Sequence, residues 1–415
     1  MRALCLVALL ATTPAFAADD DAAALGLADK TVTTAEQARD WHLFTEAAWN
    51  LAVLRATDAT QQFERLSLGA SYDTVVAPQW RVAFADRFDA WWQQEPSRQY
   101  NVNTLQEAYL SWLPRPDRIA DLGSINTRYG VAYAYNPTDF FRTDAVRATV
   151  SADPAVQREN RLGTVAVRGQ ALWTGGSLTA LYSPKLADHP NNGALDPDLG
   201  ATNGSNRWLV AVSQQLSDQF NPQWLLFGTV GQPPQFGLNL TTLLNDATVL
   251  SLEWSGGRSA SLFVQALSLP SDTAFRSRLA TNLTYTTANK LSLTVEYEYC
   301  GAALDGDAWD ELGRRSLPVY VAYRNYVAAV QDPPTRRRFF LRAFWQDALF
   351  NHFDLTSYAF VDTVDHSWQT WVEARYHWTQ LDLALQWQRN DGAPLSQYGA
   401  LPQQWITQVL ARYFF

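Results

Sequence analysis

The chain has 415 residues and is net acidic, with 32 Lys and Arg against 41 Asp and Glu. That balance disfavours broad binding to nucleic acid, and the absence of any run of 18 apolar residues after the N-terminal segment excludes a membrane-spanning helix. The 17 Trp, 17 Tyr and 20 Phe instead suit alternating strands that face lipid between two aromatic girdles.

Arg2, the apolar stretch Ala3 to Ala11 and the small-residue pattern Ala15-Phe16-Ala17 predict a cleavable export signal over residues 1–17. Cys5 lies inside it with no lipobox, so no lipid anchor is expected, and Cys300 is then the single mature cysteine, with no internal disulfide. Residues 18–40 read as a periplasmic segment, and residues 41–415 as the barrel.

From Trp41 onward, segments of about ten residues alternate apolar and polar positions between turns. In Lys290 to Cys300, Leu291, Leu293, Val295, Tyr297 and Tyr299 fall on one face, and Ser292, Thr294, Glu296 and Glu298 on the other. Eighteen strands are predicted. In chain order they are 41–55, 62–73, 80–92, 104–113, 119–130, 160–173, 177–184, 205–217, 223–232, 246–255, 258–268, 277–286, 290–300, 335–348, 353–364, 367–378, 380–389 and 404–415. With Phe415 in the periplasm, short connections such as Gly256-Gly257 fall on the periplasmic side. The long ones, including 131–159, 185–204, 233–245 and 301–334, then fall on the outer side, the usual barrel asymmetry. Asp307 to Arg314 predicts a short helix in the last of these. Pro318 to Val330 has strand character and is placed in the same loop, folding inward. If Trp41 to Arg55 were an amphipathic helix, sixteen strands would be the alternative. The expected fold is all-β: one transmembrane antiparallel up-and-down β-barrel.

The alternation turns Arg65, Arg81, Arg87, Arg128, Arg168, Arg207, Arg278, Arg338, Arg342, Arg375 and Arg412 into the lumen. Asp89, Glu107, Glu296, Glu298, Glu373 and Asp382 share that face. Unpaired, such arginines would enrich anions and slow cations; paired across strands, they would only hold a hydrated or plugged lumen. Asn136, Pro137, Asp139, Phe140 and Phe141 form a turn in a long outer loop, either a constriction folded into the pore or ordinary loop packing. Arg336-Arg337-Arg338 puts three charges at the outer rim, suited to lipopolysaccharide phosphate or to plain solvation.

Five histidines occur, at positions 42, 189, 352, 366 and 377, without metal-ligand spacing. No cofactor is expected. His377 beside Glu373 and Arg375 would be the acid–base residue of a barrel lipase, the least favoured reading.

With the Tyr129-Gly130 to Phe140-Phe141 segment, the eighteen strands, the arginine face and the terminal aromatic strand in view, the chain resembles outer-membrane porins of the alginate-export type and related exporter-associated barrels. The resemblance implies a porin or exporter-coupled channel for anionic or amphiphilic solutes. Its partners would be outer-membrane lipid, lipopolysaccharide, the barrel-insertion machinery that reads Phe415, and an inner-membrane exporter. A structural barrel serving as scaffold or sheath is the alternative.

Overall fold

The computed structural model describes residues 39–415 except 95–96, 189–190, 192 and 218. The export signal and most of the periplasmic segment lie outside the described residues, as does His189.

Eighteen strands follow one another: β1 (Trp41–Leu54), β2 (Thr60–Ala77), β3 (Trp80–Gln93), β4 (Arg98–Arg115), β5 (Arg118–Ile125), β6 (Thr164–Trp173), β7 (Gly176–Ser183), β8 (Arg207–Gln214) and β9 (Gln223–Thr229). The second half comprises β10 (Gln235–Asn245), β11 (Thr248–Ser259), β12 (Ala274–Thr286), β13 (Leu291–Cys300), β14 (Arg337–Trp345), β15 (Phe353–Asp362), β16 (Trp368–His377), β17 (Leu381–Asp391) and β18 (Gln403–Phe414). Each pairs antiparallel with the next, and β18 returns to β1 with Glu46 opposite Arg412 and Thr45 opposite Tyr413. Closure leaves no unpaired edge, which is what permits strands to cross hydrocarbon.

Trp41–Leu54 is therefore a strand, and the sixteen-strand alternative does not hold. The count of eighteen holds with a correction. Gln235–Asn245, expected as an outer loop, is β10, while the expected strand 258–268 contains only the end of β11 and a short helix, α2 (Leu262–Ala266). Gly256 and Gly257 are not a periplasmic turn but lie at the outer end of β11. Both are packing glycines: a Cβ on Gly256 would stand 2.5 Å from the Trp254 ring, and one on Gly257 would stand 2.8 Å from the Pro234 carbonyl. The turn falls instead at Asp246-Ala247, where the Asn245 side chain accepts the Ala247 N–H at 3.0 Å.

Helices sit only in outer connections among the described residues: α1 (Pro154–Glu159), α2, α3 (Gly306–Arg314) and α4 (Leu317–Val330). The third matches the predicted short helix. The fourth replaces the expected inward strand-like segment: Tyr320, Tyr323 and Val327, at helical spacing, are buried against Leu262, Trp309 and Leu312 over the barrel mouth.

The faces sort as alternation requires. Leu68, Leu283, Val295, Leu341, Leu385 and Val409 are exposed on the outside. Trp41, Trp80, Trp112, Trp173, Trp224 and Trp378 ring the periplasmic end, with Trp80 and Trp112 stacked at 6.0 Å. This is an aromatic girdle below an apolar belt.

Candidate functional site: the lumen and its inward loop

Register places Arg65, Arg81, Arg87, Arg168, Arg207, Arg278, Arg338, Arg342 and Arg375, with Glu296 and Glu298, on the lumen face. Arg128 is the exception. β5 ends at Ile125, and Arg128 lies beyond it, exposed, because the chain leaves the wall early to enter the barrel.

That early departure begins the inward loop, residues 126–163. Two wall carboxylates hold it. Glu253 on β11 accepts the N–H groups of Val131 (3.0 Å), Ala132 (3.1 Å) and Thr138 (2.7 Å), and also the Asn136 amide (3.1 Å). Glu296 on β13 accepts those of Tyr133 (2.7 Å), Ala134 (3.1 Å) and Tyr135 (3.0 Å). A buried carboxylate needs such donors, and successive backbone N–H groups turned to one side form an anion-holding nest. Gly130 makes this approach sterically feasible: its φ is +109°, and a Cβ there would meet the Glu253 oxygens at 2.6 and 2.7 Å.

The predicted turn forms as expected, with the Asp139 N–H donating to the Asn136 carbonyl at 3.1 Å. Asp139 holds Arg161 at 2.7 Å, both fully buried. Phe140 stacks on Phe227 at 4.6 Å, and Phe141 packs edge-on to the same ring at 5.7 Å. This is possible because the lumen wall of β6 to β9 is apolar here, with Ala166, Leu181, Leu209 and Leu225 joining the cluster. Further along, Arg65 donates to the Val150 carbonyl and Tyr358 to that of Ala152, each at 2.6 Å. The loop thus crosses the lumen, touching β11 and β13, then β9, then β2 and β15.

A second outer loop, residues 301–336, clamps the first. Asp332, just past α4, accepts Tyr135 Oη at 2.8 Å, Arg278 Nη2 at 3.0 Å and the Arg142 guanidinium. Burial alone would raise its pKa, but Arg278 and Arg142 outweigh this and hold the carboxyl below its ordinary value.

Most lumen arginines are ion-paired: Arg65 and Arg87 to Glu46, Arg168 to Asp121, Arg278 to Asp332, Arg338 to Glu298, and Arg375 to Glu373. Arg81 pairs with Asp73 at the half-exposed periplasmic end. Arg342 lies 4.3 Å over the Tyr133 ring of the loop. Arg207 differs. It is 6% exposed, bonds the Thr202 carbonyl, stacks 4.7 Å from Phe141, and makes no contact ion pair among the described residues, Asp144 being the carboxylate that acts on it from further off; its Nε has no acceptor.

Arg207 borders a cavity of about 270 Å³ on the outer side of the loop, which Pro137, Phe140, Arg142, Arg278 and Tyr326 also line. A smaller one of about 50 Å³ lies on the other side, bordered by Glu46, Arg65, Trp371, Arg375 and Arg412. The expected arginine triplet is split. Arg336 pairs with Asp305, Arg337 is exposed, and Arg338 turns to the lumen. His377 lies between Asp382 (2.9 Å) and Asp354 (3.3 Å), so neither ring nitrogen is available to activate a hydroxyl.

Glu46, Asp121, Glu253 and Asp332 were not anticipated as lumen groups. Glu253 had a signal, since it alternates with Leu250, Leu252 and Trp254. Asp332 had none, because its place depends on how α4 docks.

A closed eighteen-stranded barrel with a lipid-facing belt, an aromatic girdle and a loop folded into a polar lumen defines an outer-membrane β-barrel of porin architecture. No protein-family model and no curated protein matches the chain. The fold is similar to that of Pseudomonas aeruginosa OccK5 (OpdH), at 10% identity over 90% of this chain and 97% of that one, TM-score 0.53. It is similar also to P. aeruginosa OccK2 (OpdF), solved in complex with glucuronate, at 10% identity over 91% and 97%, TM-score 0.56. The P. aeruginosa outer membrane protein OpdK matches at 8% identity over 91% and 99%, TM-score 0.53. The likeness supports a porin barrel without singling out the alginate-export type.

Proposed function

We propose that the protein is a narrow outer-membrane channel for small organic anions, with the cavity at Arg207 as the point of capture. Arg207 carries the reading. Ion pairing neutralises most of the lumen arginines, whereas this guanidinium lines open space with no carboxylate in contact with it among the described residues, Asp144 acting only from further off. A solute carboxylate would complete its hydrogen bonding, and the Phe140 and Phe227 rings beside it would take an apolar portion. The glucuronate bound by OccK2 is a solute of that kind. The inward loop would make the passage narrow and conductance low. Lipid and lipopolysaccharide would surround the belt, with exposed Arg337 at the outer rim toward phosphate, and insertion machinery would read the terminal Phe415.

Reversal potentials in planar bilayers under a salt gradient test this. The parent channel is expected to prefer anions. Arg207→Ala should remove most of that preference, and Arg207→Lys should keep part of it. A cation-preferring parent channel, or selectivity unchanged in Arg207→Ala, would overturn the proposal.

A further inference from the structure

At mid-height the outer surface is apolar on most strands, as Leu283, Val295, Leu341, Val372, Leu385 and Val409 show. β3 departs from this. Arg87 reaches into the lumen to Glu46, so its neighbour Asp86 points outward, on the same face as Phe84 and Phe88. Asp86 is six residues beyond Trp80 of the periplasmic girdle. At about 3.3 Å per residue and a tilt near 40°, that is roughly 15 Å up a belt about 25 Å tall. A carboxylate in this position faces hydrocarbon, where charged and polar groups are disfavoured unless they find partners.

Its surroundings supply part of a partnership. Asp86 stands between Ala70 on β2 and Leu105 on β4, and accepts the Asn103 amide at 3.0 Å. Asn101, two residues further along β4, has a buried side-chain oxygen with no donor among the described residues. One outward patch therefore carries an acceptor (Asp86) and an amide donor (Asn103) side by side, with Asn101 above them at the top of the belt. Lipid tails offer none of these groups.

We propose that the outer face of β2 to β4, centred on Asp86 and Asn103, is a contact surface for a second copy of this chain within the membrane. A patch that holds both donors and acceptors is self-complementary, so a symmetry-related copy can satisfy it with the same residues. The small side chains of Ala70 and Ala108 beside it allow a neighbouring backbone to come close.

Cysteine crosslinking in native outer membranes tests this. Phe88→Cys lies within the patch, and Leu283→Cys on β12, across the barrel from β3, is the control. Oxidation should yield a band of twice the chain mass severalfold stronger for Phe88→Cys than for Leu283→Cys. Adding Asp86→Leu to Phe88→Cys should weaken that band severalfold. In mild detergent, light scattering should show Asp86→Leu as a monomer and the parent as an oligomer. Heat-modifiable migration on gels reports whether each variant has formed its barrel. Should Asp86→Leu fail that check, the Phe88 and Leu283 comparison decides alone. Equal crosslinking of the two cysteines, a persistent band in the folded Asp86→Leu variant, or a band whose mass indicates a different protein would overturn the proposal.

Discussion

Glu253 shows how a single wall residue determines what the lumen becomes. Its carboxylate takes three backbone N–H groups and an amide from the inward loop. Hydrogen bonds to a charged group contribute about 1.5–3 kcal/mol each. Glu253→Ala removes all of these acceptors and leaves the loop donors unpaired. The expected result is a loop whose first stretch, 131–138, keeps Glu296 as its one wall carboxylate, with single-channel conductance raised severalfold and a noisier open state. Glu253→Gln keeps one acceptor oxygen and should fall between. Unchanged conductance in Glu253→Ala would mean that Glu296 and the Phe140 stack suffice. The lumen side of this residue was legible from its alternation with Leu252 and Trp254. Its role was not, because the donors come from a segment more than a hundred residues away.

At the scale of elements, period-two alternation identified the strands that face lipid on one side and polar lumen on the other, such as β13 and β17. It failed where the lumen face is itself apolar. In β9 and β10, Leu225, Phe227 and Gly237 face inward against the loop, so the contrast between faces fades, and Gly256-Gly257 reads as a turn. The helix α4 was hidden for a related reason. Its buried residues are set by packing on α2 and α3, not by a polar solvent face. The clamp between α4 and the inward loop carries a pH prediction. Asp332 has a folded-state pKa below its ordinary value, so its stabilisation is complete above the ordinary carboxylate range and lost as pH falls through the depressed value. Channel noise and protease resistance of the loop should be constant from pH 8 down to about 4, the ordinary Asp value, and change only below it. Asp332→Asn should loosen the clamp already at neutral pH and abolish the acid transition. A transition near pH 6 in the parent would assign the switch to another group.

For the whole molecule, the decisive event is closure of β18 on β1, and the lumen shows what secures it. Glu46 on β1 bonds Arg412 on β18 at 2.8 Å, and also Arg65 on β2 and Arg87 on β3. One carboxylate therefore joins both sides of the seam. It is 1% exposed, and among the described residues the one other carboxylate paired with these arginines is Asp89, on Arg87. Removing one partner of a buried ion pair typically costs about 3–5 kcal/mol, since the remaining charge stays buried without compensation. Glu46→Ala leaves Arg65 and Arg412 without their carboxylate and Arg87 with Asp89 alone, so its cost should lie within or above that range. Glu46→Gln, which keeps an acceptor oxygen, should cost less. The measurement is the temperature or urea concentration at which the compact, fast-migrating barrel converts to the slow form on gels. The outward-facing Thr45→Ala, opposite Tyr413 on the same seam, is the control and should shift it little. If Glu46→Ala and Thr45→Ala shift the transition equally, the backbone ladder alone holds the seam, and the arginine cluster serves the passage of solute instead of closure.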